Sequence, residues 1–233
     1  MLITKRLSMT IRKKKIIENI SFELRSGEIG ILVGPNGAGK TTTINCIIGT
    51  LNCSGEAYID GYKSNSIEAK KVLGYVPEVA EVYDYLTISE HLQFIAKAYK
   101  LKNWEKESRK LLERFDLTEH SRKIGKELSK GMKQKLNICC VLLIKPKVII
   151  FDEPFVGLDI FAIQELKEIM KELKNEGCTI LISTHILESV EELWDKAIVI
   201  SGGVLLSEYE KSALLGQKQL EDIFMNLKIK MEE

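Results

Sequence analysis

Residues 34–41 read Gly34-Pro35-Asn36-Gly37-Ala38-Gly39-Lys40-Thr41, and no other stretch limits the possible folds as tightly. The spacing G-x-x-x-x-G-K-[ST] places glycines where backbone N–H groups must turn inward around an anion, with Lys40 and Thr41 opening a helix. Such a loop works only between a strand and a helix, because the helix N-terminus adds partial positive charge to the cradle. The flanks agree. Ile29-Gly30-Ile31-Leu32-Val33 is a nearly unbroken apolar run, as expected of a strand buried on both faces of a parallel sheet. A helix is predicted from about residue 39 to 48. Lys40 would reach β- and γ-phosphates, the Thr41 hydroxyl would ligate Mg²⁺, and Thr42 would contact an α-phosphate. The chain is thereby directed to an α/β class.

A second buried strand, Val148-Ile149-Ile150-Phe151, ends in Asp152-Glu153. Carboxylates at the C-terminal ends of parallel strands stand where such sheets bind ligands. Asp152 is expected to hold Mg²⁺ through its water shell. Side chains alternate along a strand, so Glu153 is expected to point elsewhere and polarise an attacking water.

Around these two elements, residues 2–11 and 16–24 alternate as antiparallel strands, and further strand pieces are predicted at 57–59, 72–76, 179–182 and 197–200. Between Thr87 and Ile144 the period becomes helical, with one stripe at Leu92, Ile95 and Tyr99 and another at Leu111, Leu112 and Phe115. Thr87 and Glu90 have capping-box spacing. Residues 211–233 read as one or two short helices. No linker rich in Ser or Gly divides the chain, and 233 residues suffice for one domain with a full core.

Composition excludes several classes. With 34 Lys+Arg against 33 Asp+Glu, the chain lacks the basic excess of a general nucleic-acid binder, and no nucleic-acid partner is expected. No run of about 18 apolar residues offers a bilayer span, and the first residues do not resemble a secretory signal. The five Cys are scattered without a Cys-x-x-Cys pair, so they read as buried free thiols in a reducing cytoplasm.

Leu128-Ser129-Lys130-Gly131-Met132-Lys133-Gln134 precedes the acidic strand and opens a helix. Here the chain resembles the nucleotide-binding subunit of ABC transporters, whose L-S-G-G-Q signature lies at a similar interval. Gly157-Leu158-Asp159 is similar to the family's D-loop, and Thr184-His185 to its switch histidine. The resemblance covers the chain to about Ser207. It implies a P-loop NTPase (RecA-like) core, an N-terminal antiparallel β-subdomain and an inserted α-helical signature subdomain at about 79–144, all within a nucleotide-binding domain of residues 1–210. It further implies ATP as the nucleotide, hydrolysis with Glu153 as base and His185 as γ-phosphate sensor, and a head-to-tail homodimer. In that dimer Ser129 and the Gly131 backbone of one copy close over the nucleotide of the other. A separate transmembrane permease is implied, with this subunit on the inner face of the membrane, and the motif wording resembles bacterial exporter ATPases. The rival within the family is a soluble ATPase of the iron–sulfur assembly type. A pure nucleotide-dependent interaction module is disfavoured by Glu153 and His185 both being present. His91 and His120 read as helix-surface residues.

Four positions depart from the family pattern. Glu78 stands where a glutamine is usual, still able to ligate Mg²⁺ but adding negative charge. Lys130 and Met132 replace small or amide residues. Ile11 falls near the position of the aromatic that usually stacks on adenine, which predicts weak discrimination of ATP from GTP. Residues 79–86 carry Tyr83 and Tyr85 in an expected loop, suited to a partner interface if exposed.

Overall fold

Strands buried on both faces, with alternate side chains entering two cores, organise the structure, a computed structural model that describes residues 1–213. The larger sheet has six strands in the order β10-β9-β3-β8-β7-β6: β3 (Ile29–Val33), β6 (Leu73–Val76), β7 (Val148–Asp152), β8 (Thr179–Ser183), β9 (Lys196–Ser201) and β10 (Val204–Glu210). All neighbours are parallel except β9 and β10. Ile29, Ile31, Ile149, Phe151, Ile180 and Ile182 enter one core, while Leu32, Val148, Ile150, Leu181 and Ile198 enter a second. A sheet buried on both faces needs cover on both.

On one face lie α3 (Ile88–Ala98), α4 (Trp104–Arg114), α5 (Lys130–Leu143) and α6 (Ile160–Asn175), contributing Leu92, Leu112, Leu136 and Leu166 to the first core. On the other lies an antiparallel sheet, order β2-β1-β4-β5, of β1 (Leu2–Ile11), β2 (Lys14–Leu24), β4 (Ser54–Ile59) and β5 (Tyr62–Lys63). Helix α1 (Lys40–Ile47) shares that second core through Ile44 and Ile47. Arg12 and Lys13 both have positive φ, 47° and 67°, so the β1–β2 hairpin turns through a two-residue loop of the kind that matches strand twist.

Several boundaries differ from the expectation. Val72 ends a short helix, α2 (Ile67–Val72), capped by the Ser66 hydroxyl, and the strand begins one residue later. Six residues with only Ala69 buried carry too little periodicity to be seen. The buried face of α3 is Ile88, His91, Leu92 and Ala96, with Tyr99 exposed. His91 is therefore a core residue and not a surface one, because its polar atoms are satisfied by neighbouring backbone. Cys46, Cys139 and Cys178 are buried free thiols, while Cys53 and Cys140 are only partly covered. Lys211–Ala213 forms a single 3₁₀ turn; the remainder of the C-terminal expectation lies outside the described residues.

Arg114 ties the helical layer together. Its guanidinium pairs with Glu165 and bonds both carboxylate oxygens of Glu172, at 2.7 and 3.0 Å, so α4 is fixed to α6. Glu172 is half exposed, which limits the worth of the pair. Arg114→Ala is expected to lower unfolding stability by about 1 kcal/mol in urea titration.

Candidate nucleotide site

The carboxyl ends of β3, β8 and β7 lie side by side, with Leu32 and Asp152 both in register with Ser183. The loop after β3 turns sharply there. A Cβ on Gly34 would meet the Ile200 carbonyl oxygen at 2.3 Å, so only glycine lets the loop press on β9. Gly39 has φ +101° and caps α1 without a side-chain bond, leaving the first helical N–H groups for a ligand. From outside, the β9–β10 turn holds the loop: Gly203 N–H donates to Ala38 O at 3.1 Å, and Glu18 N–H donates to Gly203 O at 2.7 Å.

Lys40 is nine-tenths buried, and its ammonium donates to Gly34 O (2.7 Å) and Pro35 O (3.3 Å). Burial lowers its pKa, opposed by the charges of Glu153, Asp152 and Glu78. An anion entering the loop supplies what this ammonium lacks. The cavity around it, about 380 Å³, is bordered by Ile16, Asn36, Gly37, Gly39, Lys40, Thr41, Thr42, Glu78, Asp152, Glu153 and His185.

Asp152 ends β7 fully buried, and its Oδ2 has no hydrogen-bond partner; neither has Ser183 Oγ. Burial pushes the Asp152 carboxyl above the usual range, reinforced by the charges of Glu153 and Glu78 and opposed by the Thr41 hydroxyl. Orphaned buried oxygens beside a hydroxyl are what a hydrated divalent cation satisfies. No cluster of three or more His, Cys, Asp or Glu side chains exists among the described residues to cage a metal alone. Mg²⁺ takes one or two carboxylates and completes its shell with water and phosphate, so the residues of this site are compatible with it.

Glu153 lies just past the strand and has φ +48°. Its separate direction thus comes from a left-handed residue, not from strand alternation as expected. Such strain persists where surrounding bonds over-determine it. Here Glu153 N–H donates to Ser183 O (2.8 Å), while Oε2 accepts from Thr184 Oγ1 (3.0 Å) and from His185 N–H (3.3 Å). The His185 ring meets Oε1 through Nδ1 at 2.9 Å, and that ring is 57% exposed. The base candidate is therefore held rigidly from behind while its imidazole neighbour faces the cavity.

The signature residues sit elsewhere. Ser129 caps α5 by accepting from Met132 N–H (3.2 Å) and is exposed. Gly131 packs on the D-loop, where a Cβ would meet Gly157 O at 2.6 Å. Neither borders the cavity that collects Lys40, Asp152, Glu153 and His185.

Residues 17–156 match the ABC transporter family. The ABC-type transporter ATP-binding protein EcsA of Bacillus subtilis (strain 168) is 36% identical over 232 residues, covering 92% of this chain and 91% of that protein.

This chain belongs to the ABC transporter family, as an ATP-binding subunit.

The SkfA peptide export ATP-binding protein SkfE of the same organism is 36% identical, covering 87% of this ABC ATPase and 86% of SkfE. A solved structure described as the ATP binding subunit of an ABC transporter superposes with a TM-score of 0.92 at 35% identity, over 97% and 99% of the two chains. The P-loop NTPase fold and the ATPase activity of this subunit follow from that membership.

Three contributors escaped sequence reading. Thr184 reads in the sequence only as the neighbour of His185, yet its hydroxyl clamps Glu153. Ser183 closes β8 opposite Asp152. Ile16 borders the cavity, whereas Ile11, expected near the base, ends β1 and is exposed. No Phe, Tyr or Trp lines this cavity among the described residues.

Proposed function

We propose that this ABC ATPase drives export through a separate permease by closing as a two-fold dimer around two ATP. The separation of Ser129 and Gly131 from the cavity holding Lys40 carries this reading, because an anion-binding helix start that cannot reach its own chain's site is available to a second copy. Ile160 and Phe161, next to the D-loop and 75% and 88% exposed, supply apolar surface for such a contact. The direction of transport draws on relatives such as SkfE, whose name records peptide export. No described helix is long and apolar enough to cross a membrane, and ABC ATP-binding subunits work with permeases. Peripheral attachment to the inner face of the cell membrane follows from that partnership.

Within one site, the backbone N–H groups of Gly37, Gly39 and Lys40, the Lys40 ammonium and the Thr42 hydroxyl bind and orient the phosphates. Asp152, Thr41 and Glu78 would hold Mg²⁺, which supplies charge neutralisation of the phosphate oxygens when bound. Glu153, aimed by Thr184, accepts a proton from the attacking water. His185 donates to the γ-phosphate and keeps that carboxylate in line. Ser129 and the start of α5 from the second copy close the γ-phosphate side.

Two measurements bear on this. Affinity purification from detergent-solubilised membranes is expected to recover a polytopic membrane protein that stimulates hydrolysis; recovery of soluble cluster-assembly proteins instead would favour the iron–sulfur alternative. Without an aromatic on the base, stacking worth about 1–3 kcal/mol is missing, so competition binding is expected to give ATP and GTP dissociation constants within about tenfold. A strong ATP preference would contradict it.

A further inference from the structure

One loop touches both halves of the proposed machine. Glu78 borders the nucleotide cavity. A few residues on, the loop is strapped to the turn preceding the signature: Gly125 N–H donates to Leu86 O (2.9 Å) and Lys126 N–H donates to Asp84 O (3.0 Å). The contact is close enough that a Cβ on Gly125 would meet Tyr83 O at 2.3 Å. Ser129 follows two residues after that turn ends at Glu127. The loop nevertheless exposes Val79, Tyr83 and Tyr85 to 67%, 57% and 77%, so little apolar burial holds it down.

A polar pin does so from the α3 side. His91 is 5% exposed. Its Nε2 accepts from Tyr83 N–H at 2.9 Å, and its Nδ1 lies 2.8 Å from Thr87 O. These partners allow one proton arrangement: Nδ1 faces an acceptor and carries the hydrogen, while Nε2 faces a donor and must be bare. The Tyr83 ring lies 5.8 Å from the imidazole and meets Phe94 edge-on at 5.4 Å. Thr87, the backbone partner, is itself the N-cap of α3, closed with Glu90 in a capping box. The imidazole therefore joins the loop backbone to a well-anchored helix start.

We infer that His91 is a positioning residue for hydrolysis: its neutral Nδ1–H imidazole pins Tyr83 so that Glu78 and Ser129 move as one unit. The inference rests on the proposed role of Ser129. Without the pin, the loop between Glu78 and Gly125 gains freedom, and displacement at one end is absorbed before reaching the other. Nucleotide binding by the phosphate loop of the same chain is untouched, since no atom of His91 borders that cavity.

The full chain tests this with three substitutions. A Gln side chain can place its carbonyl near the Nε2 position and still accept from Tyr83 N–H; Asn is too short to do so and retains only the reach to Thr87 O; Phe fills the space without either bond. His91→Asn, which loses the bond to Tyr83, and His91→Phe, which loses both, are expected to lower kcat by about fivefold or more, with KM little changed. Amide exchange at residues 83–86 is expected to accelerate by about tenfold in the same two variants. His91→Gln keeps both near the wild type. Equal loss in Gln and Asn, or wild-type kcat and exchange in Phe, would overturn the assignment. Hydrolysis left at the wild-type rate by Gly131→Val would instead sink the shared-site reading, while the exchange rates still report on the pin.

Discussion

Glu153→Gln is expected to bind ATP with wild-type affinity, to hydrolyse it at least about 10²-fold more slowly, and to accumulate as an ATP-held dimer. The substitution is isosteric. The amide oxygen still accepts from Thr184 Oγ1 and His185 N–H, the two bonds that fix Oε2, so the backbone strain at φ +48° remains compensated. What is lost is the capacity to take a proton from water. Binding energy from the phosphates survives, and the step that would weaken the γ-phosphate contacts does not occur. Single-turnover phosphate release and solution mass with ATP and Mg²⁺ measure both halves of this outcome. Normal turnover would remove Glu153 from the role of base.

Gly131→Val is expected to separate nucleotide binding from dimer closure. The new Cβ would lie 2.6 Å from the Gly157 carbonyl oxygen, a backbone atom that cannot rotate away. Relief requires the start of α5 to move from the D-loop. Overpacking of this kind costs about 1–3 kcal/mol, which corresponds to about 5- to 150-fold in the dimerisation constant. The Asp159 carboxylate, paired with Lys135 Nζ at 2.7 Å and capping α6 through Ala162 N–H, resists the shift and spreads it into the D-loop. ATP binding to the single chain, followed by a fluorescent nucleotide, should be unchanged, because neither glycine borders the cavity. Equal loss of ATP binding would show that the two regions are one site within a chain.

The parts of the fold legible beforehand were those written in short-range pattern. The loop at 34–41, the buried strands before it and before Asp152, and the capped start of α3 each follow from a local rule of spacing or capping. The parts that were not legible depend on contacts across the chain. His91 reads as a surface histidine because its helix stripe is usually judged by apolar residues alone; only the return of Tyr83 N–H from the preceding loop gives the imidazole a reason to be buried. The orientation of Glu153 comes from a left-handed backbone fixed by Ser183 and Thr184, 30 and 31 residues away in sequence, which strand alternation does not anticipate. Ile16 stands beside the cavity because the start of β2 packs on the phosphate loop, where a Cβ on Gly39 would meet Ile17 Cγ2 at 2.7 Å and Ile16 O at 3.3 Å. The candidate site was found by its phosphate loop and acidic strand, while the side chains that hold its geometry had no motif of their own.

The central claim is that one working site is assembled from the phosphate loop of one copy and the signature segment of another. It is tested most directly by mixing Lys40→Ala, which lacks the loop cation, with Gly131→Val, which has a displaced signature. Each variant alone should hydrolyse ATP poorly. On mixing, the intact loop of the second meets the intact signature of the first, and hydrolysis should rise well above the sum of the separate rates, peaking at equal amounts. A rate that remains the simple sum at every ratio would contradict the shared site.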